Sequence, residues 1–174
     1  MTKTISRLFD SYDSAARAVR ELEAVGVPQA DIGVVANNSE NWYAQNGDGK
    51  LCAGLSRFEF RGVGPVLARG WFVSASAGTA SGGTAQRIIG ALTQSGLSDQ
   101  DAQVYAEGIR RGGTLVVARV HEAHVADLDR LLGRSSLSAA ELHGSYSKLG
   151  WRSFDESAPP YSADQVRKAR RLRR

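Results

Sequence analysis

The hydrophobic period changes twice in the first 36 residues. Residues 4–9, TISRLF, are β-branched and aromatic, which predicts a strand. Asp10 or Ser11 can then cap a helix over about residues 12–25, since Ala15, Ala18, Val19, Leu22 and Val25 recur at helical spacing. Arg17 and Glu21 stand one turn apart on its polar side, where they can pair. Gly26 suits the left-handed residue that ends a helix, and Pro28 blocks its continuation. Residues 32–36, IGVVA, are apolar without alternation and predict a strand buried on both faces. The first unit is therefore strand, helix, strand.

A second half repeats the plan. Ser98 with Asp101 three residues on gives a capping box for a helix reaching Arg111, with Ala102, Tyr105 and Ile109 inward. Asp99 and Asp101 at its start, and Arg110 and Arg111 at its end, complement the helix dipole. Gly112 and Gly113 end it, and residues 114–120, TLVVARV, are the clearest strand in the chain. A helix over about 123–132 follows, with Val125, Leu128, Leu131 and Leu132 inward, and a short fourth strand is expected near 139–143.

Residues 37–97 differ in character. They open on a polar loop, NNSENWYAQNGDGK, and continue into a stretch dense in Gly, Ala and Ser. Gly70, Ser74, Gly78 and Gly82 form an i, i+4 ladder of small residues that would let two helices approach closely. The expectation is a flexible or loosely helical insertion, or a packed helical hairpin whose ladder is a self-association face. After Gly144, Trp151 and Phe154 are expected to anchor an extended segment. Ser162 and Gln165 then suggest a capping box for a last helix with Val166, Ala169 and Leu172 on one stripe.

Charge changes this picture at one end only. The net charge is +4, but the last eight residues, RKARRLRR, hold six of the 22 basic side chains and no acid. Without them 16 basic side chains face 18 acidic ones, a net −2, so basicity belongs to the tail. Arg167, Lys168, Arg170, Arg171, Arg173 and Arg174 could neutralise phosphates of nucleic acid or of an anionic surface. The plain alternative is a solvated, frayed terminus. The run contains no aromatic residue on which bases could stack. The N-terminus has no apolar signal core, no apolar run is long enough to span a bilayer, and Cys52 is the lone cysteine. A cytoplasmic protein without disulfides is expected.

Candidate chemistry is sparse. His121, His124 and Asp127 fall on successive turns and could supply three zinc ligands, but spacing alone does not make their geometry converge, and an ordinary polar helix start is the preferred reading, so no metal site is assigned. Gly62 and Gly64 lack the third glycine of a dinucleotide loop, since Leu67 occupies that position. Ser145 and Lys148 match a penicillin-binding motif by chance, in a chain too short for that fold. Cys52 has no neighbouring His. No catalytic residues and no cofactor are assigned, and the chain is not expected to be an enzyme.

Three stretches resemble the bacterial heat-induced general stress protein family. They are TISRLFDSYDSAARAVRELEAVGVPQADIGVVANN, the ordered set GVGP, GAL, YAEG.RRGG and LV..RV, and the ending GWRSFDESAPPY. The resemblance implies two βα-type halves separated by a glycine-zipper hairpin, and a role in general stress without known catalytic residues. Members usually carry a longer, more apolar hairpin than the LSRFEFRGVGP region here.

The expected fold is a ferredoxin-like α+β sandwich. Residues 1–36 and 98–144 form its two β-α-β halves, 37–97 an insertion, and 145–174 an extended segment with a basic C-terminal helix. The expected function is a non-catalytic, stress-associated protein that self-associates as a homo-oligomer or scaffolds. The alternative is nucleic-acid or anionic-surface binding through the tail.

Overall fold

A computed structural model describes residues 1–39, 56–75 and 83–172. Cys52, Gly78, Gly82, Arg173, Arg174 and most of the polar loop lie outside the described residues. Among those described, one mixed sheet contains β1 (Thr2–Phe9), β2 (Ile32–Asn37), β3 (Ser56–Arg61), β4 (Gly64–Gly70), β5 (Gly83–Thr84), β6 (Thr114–His121) and β7 (Ser136–Leu137). The strand order is β5-β3-β4-β2-β6-β1-β7, and every pairing is antiparallel except the short β3–β5 contact. The three strands expected first share this sheet side by side, as β2-β6-β1. The two halves interleave: β6 inserts between β1 and β2, pairing Ile5 with Ala118 on one side and Val34 with Val116 on the other.

Alternation along the central strands sends side chains into two cores. On one face, Ile5, Phe9, Ile32, Val34, Val116, Ala118 and Val120 pack under α1 (Tyr12–Ala24) and α5 (Val125–Leu132). Ser11 caps α1 by accepting the Ser14 N–H, and Ala15, Ala18, Val19 and Leu22 bury at helical spacing. Each large aliphatic side chain covered this way is worth about 1.5–3 kcal/mol. Arg7 reaches Asp129 of α5 through a two-pronged pair, Nε–Oδ1 3.0 Å and Nη2–Oδ2 2.8 Å. That hydrogen bond holds the guanidinium above its ordinary pKa. On the opposite face, Leu8, Val35, Val66, Ala68, Leu115 and Val117 meet α3 (Ala85–Gln94), α4 (Asp99–Arg110) and α6 (Ala139–Lys148).

The described part of the insertion is neither a flexible or loosely helical stretch throughout nor a packed helical hairpin. Its first described part is the β3–β4 hairpin, which extends the sheet by pairing β4 with β2 from Gly33↔Gly70 to Asn37↔Val66. In SRFEFR, Phe58 and Phe60 alternate with Arg57, Glu59 and Arg61, and this period of two outweighs the local glycine density. A short helix, α2 (Trp71–Ala75), follows, and Trp71 lies over Gly33, where a Cβ would stand 2.8 Å from the indole Nε1. The helix α3 then buries Ile88, Ile89 and Leu92. Gly70 ends a strand and Ser74 belongs to α2, so they do not form one helical ladder.

The expected strand at 139–143 is instead the start of α6. Ser138 and Glu141 close a capping box, and Ala139, Leu142 and Tyr146 bury at intervals of three and four. The strand comes earlier, as the two residues Ser136 and Leu137 of β7, which pair with Phe9 and Leu8. Among the described residues no helix is long and apolar enough to cross a membrane.

Tyr105 ties α4 to β1. Its hydroxyl donates to the Ser6 carbonyl at 3.0 Å and accepts from the Ser6 hydroxyl at 3.1 Å. Burial pushes its phenol up to about 12, against the opposing pull of the Ser6 hydroxyl, which donates to it. An unfolded tyrosine ionises near pH 10, so this contribution to stability is whole below about pH 10 and is lost as pH rises towards 12. Tyr105→Phe should therefore cost about 1–2 kcal/mol at neutral pH and flatten the alkaline loss of stability, read from urea midpoints between about pH 9 and 11.5. Identical alkaline slopes in the two proteins would assign that loss to other groups.

Candidate anion-binding groove

After α6 the chain turns at Leu149 and Gly150 and runs back across the body as an extended strap before the C-terminal helix α7 (Ala163–Leu172). Trp151 packs edge-on against Tyr146, with centroids 5.9 Å apart. The Phe154 N–H donates to Gln103 Oε1 at 3.2 Å, and Glu156 Oε1 accepts the Gln86 N–H at the start of α3, at 2.9 Å. The Trp151 and Phe154 side chains are also partly buried against the core, and so hold the segment down as expected.

Ser162 and Gln165 form the expected reciprocal cap of α7, at 2.9 and 3.3 Å. Val166 is the fully buried anchor of the helix. It sits directly on Gly112, whose φ of +102° suits glycine and where any Cβ would overlap the valine.

Beneath the strap lies a buried charge cluster. Glu107 is wholly buried and accepts from Arg110 Nη2 at 3.0 Å and from Arg111 Nε at 2.8 Å. The Arg110 guanidinium lies 5.1 Å from the Tyr161 ring centre and 6.0 Å from that of Phe154. The Arg111 guanidinium lies 4.3 Å from the ring centre of Tyr146. One carboxylate thereby positions two cations, and the cations position the aromatic residues of the strap.

Between α6 and α7 these elements leave a groove of about 850 Å³. Leu137, Leu142, Tyr146, Leu149, Tyr161 and Ala169 give it an apolar wall, and Ser145 and Gln165 add hydroxyl and amide groups. Arg111, Lys148 and Lys168 are its charged lining residues, so among the described residues its wall carries cations and no carboxylate. Leu149 is 73% exposed, a large aliphatic side chain left in water at the mouth of the groove. Both the size and the mix of apolar wall with few charged groups suit a small-molecule site.

Of the tail cations, Arg167, Lys168 and Arg171 are exposed on α7, and Arg167 pairs with Asp164. Arg170 also belongs to α7. The groove brings Lys168 together with Lys148 and Arg111, which sequence reasoning had treated as a chance motif member and a helix-end charge. Glu107 was not singled out. The signal available for it was a Glu followed at i+3 and i+4 by arginines, a spacing at which all three meet on one helix face.

A second cleft, of about 440 Å³, lies where the end of β6 meets α5 and the turn after α1. His121, His124 and Asp127 all line it, with Asp31 and Arg119. The His121 Nδ1 accepts the Ala123 N–H at 3.3 Å, so this imidazole serves as a helix cap. Among the described residues no three metal-ligating side chains are grouped closely enough to hold an ion.

Comparison of this chain with protein-family models, with curated proteins and with solved structures gave no match.

Proposed function

We propose that this chain is a non-catalytic, stress-associated cytoplasmic protein that binds anionic partners through α7 and the basic residues that follow it. The fold reading is a ferredoxin-like core carrying an insertion. What supports it is the strand order β2-β6-β1-β7 with α1 and α5 on one face. The stress role rests on the family resemblance of the sequence. The observation that carries the binding role is the way α7 is held: Val166 pins its inner side to Gly112 while Arg167, Lys168 and Arg171 stay exposed. Cations on a docked helix form a fixed array and bind with less loss of side-chain and backbone freedom than a frayed tail. Self-association through the small-residue ladder is not carried into this reading, because Gly70 is a strand residue and Gly78 and Gly82 lie outside the described residues.

The test is binding to duplex DNA across a salt series. Three to five phosphate contacts would give a log–log slope of roughly −3 to −4, with little preference for base sequence. Deleting residues 167–174 should abolish binding, since the remaining chain carries a net −2. Equal binding by the deleted protein, or none by the full chain at low salt, would overturn the role of the tail.

A further inference from the structure

We propose that the groove between α6 and α7 is a binding site for a single-chain anionic amphiphile, an alkyl chain ending in a carboxylate or phosphate. The groove pairs two properties that a bare polyanion would not use together. Leu149, 73% exposed, and the half-buried Leu137 offer apolar surface above the buried Leu142, so an alkyl chain laid along them removes that surface from water. Lys148 from α6 and Lys168 from α7 both line the site, and among the described residues no carboxylate in the wall competes for them. An anionic head is attracted there and a cationic head is repelled. Arg111 is held by Glu107, which leaves the two lysines as the cations whose pairing with a ligand head is decided at the groove. A nucleic acid would satisfy the lysines but leave Leu149 wet. The site shares Lys168 with the polyanion-binding face but depends on α6 as well, which the tail deletion does not touch.

The experiment is calorimetric titration of the full chain with laurate and with dodecyl phosphate, each below its micelle concentration, beside dodecyltrimethylammonium as the cationic control. The expected result is one saturable site for both anions, with the cationic amphiphile weaker by at least about tenfold. Lys148→Glu combined with Lys168→Glu should weaken laurate by at least about tenfold, and Leu149→Ser by about tenfold through lost apolar burial. All three positions are exposed, so the variants should keep the wild-type melting temperature within a few degrees, roughly. Leu149→Ser should also leave duplex-DNA binding unchanged, which separates this site from the polyanion-binding face. Equal affinity for the cationic amphiphile, unchanged laurate binding in the double lysine variant, or binding only as micelles or to anionic vesicles would overturn the proposal. So would a dimer, seen by light scattering, that Leu149→Ser dissolves and laurate does not. That result would make a second copy of the chain the occupant.

Discussion

Replacing Gly70 with alanine should cost about 3–5 kcal/mol and lower the urea midpoint without changing the oligomeric state. Gly70 closes β4 with φ at +75°, a conformation that costs other residues about 1–2 kcal/mol. The larger part is steric. A Cβ there would overlap the carbonyl oxygen of Ile32, in the neighbouring strand β2, and lie 3.3 Å from Gly33 Cα. Backbone cannot swing aside as a long side chain can, so the β2–β4 register would have to shift around the Gly33↔Gly70 pair. The same substitution in a face of packed helices would be mild, because alanine is itself a small residue and a better helix former. Gly90→Ala provides the contrast: Gly90 lies inside α3 with nothing within 4 Å of where the added methyl would stand, and the change should stabilise by about 0.5–1 kcal/mol. A loss below about 1 kcal/mol for Gly70→Ala would contradict the strand assignment of this glycine.

Glu107→Ala should destabilise by a comparable amount, about 3–5 kcal/mol, and should free the strap over residues 150–162. The carboxylate is fully buried, and its partners Arg110 and Arg111 are only 12% and 14% exposed. Removing it leaves two largely desolvated cations side by side on the helix end, with no counter-charge at the atoms they now use. Arg110 then loses the geometry that sets it against Tyr161 and Phe154, and Arg111 that against Tyr146. The strap should become cleavable by trypsin at Arg152 well below the concentration of denaturant that unfolds the sheet. Glu107→Gln keeps the shape without the charge and should fall between wild type and alanine. If the alanine variant unfolds at the wild-type midpoint and its strap resists cleavage equally, the cluster does not hold the C-terminal arm in place.

Much of the frame was legible in local pattern. Residues 32–36 read as a strand buried on both faces because a central strand so covered has no polar alternation to lose, and β-branched residues marked 114–120 as a strand. Caps at Ser11, Ser98 and Ser162 were visible because a cap is a contact between residues three apart. The middle was misread where two local signals competed. Gly70 has the spacing of the first rung of a helix-packing ladder, yet like Gly62 and Gly64 it has positive φ, and the three shape a hairpin and its join to β2. The strand after α5 falls earlier than the 139–143 expected for a related reason: Ala139, Leu142 and Tyr146 carry a helical period, but Ser136 and Leu137 become a strand only by pairing with Phe9 and Leu8.

The sequence by itself thus determined the elements whose residues lie within one helical turn or one strand, and it determined that positive charge gathers at the C-terminal end. The tertiary structure alone decided the strand order, because which strand enters between β1 and β2 depends on packing between residues as far apart in the chain as Phe9 and Thr114. It alone decided the groove as well. Lys148 and Lys168 belong to different helices, and their approach requires Val166 to seat on Gly112 and Glu107 to orient the arginines under the strap. Periodicity reports which face of an element avoids water. It carries no information about which other face, far along the chain, will cover it.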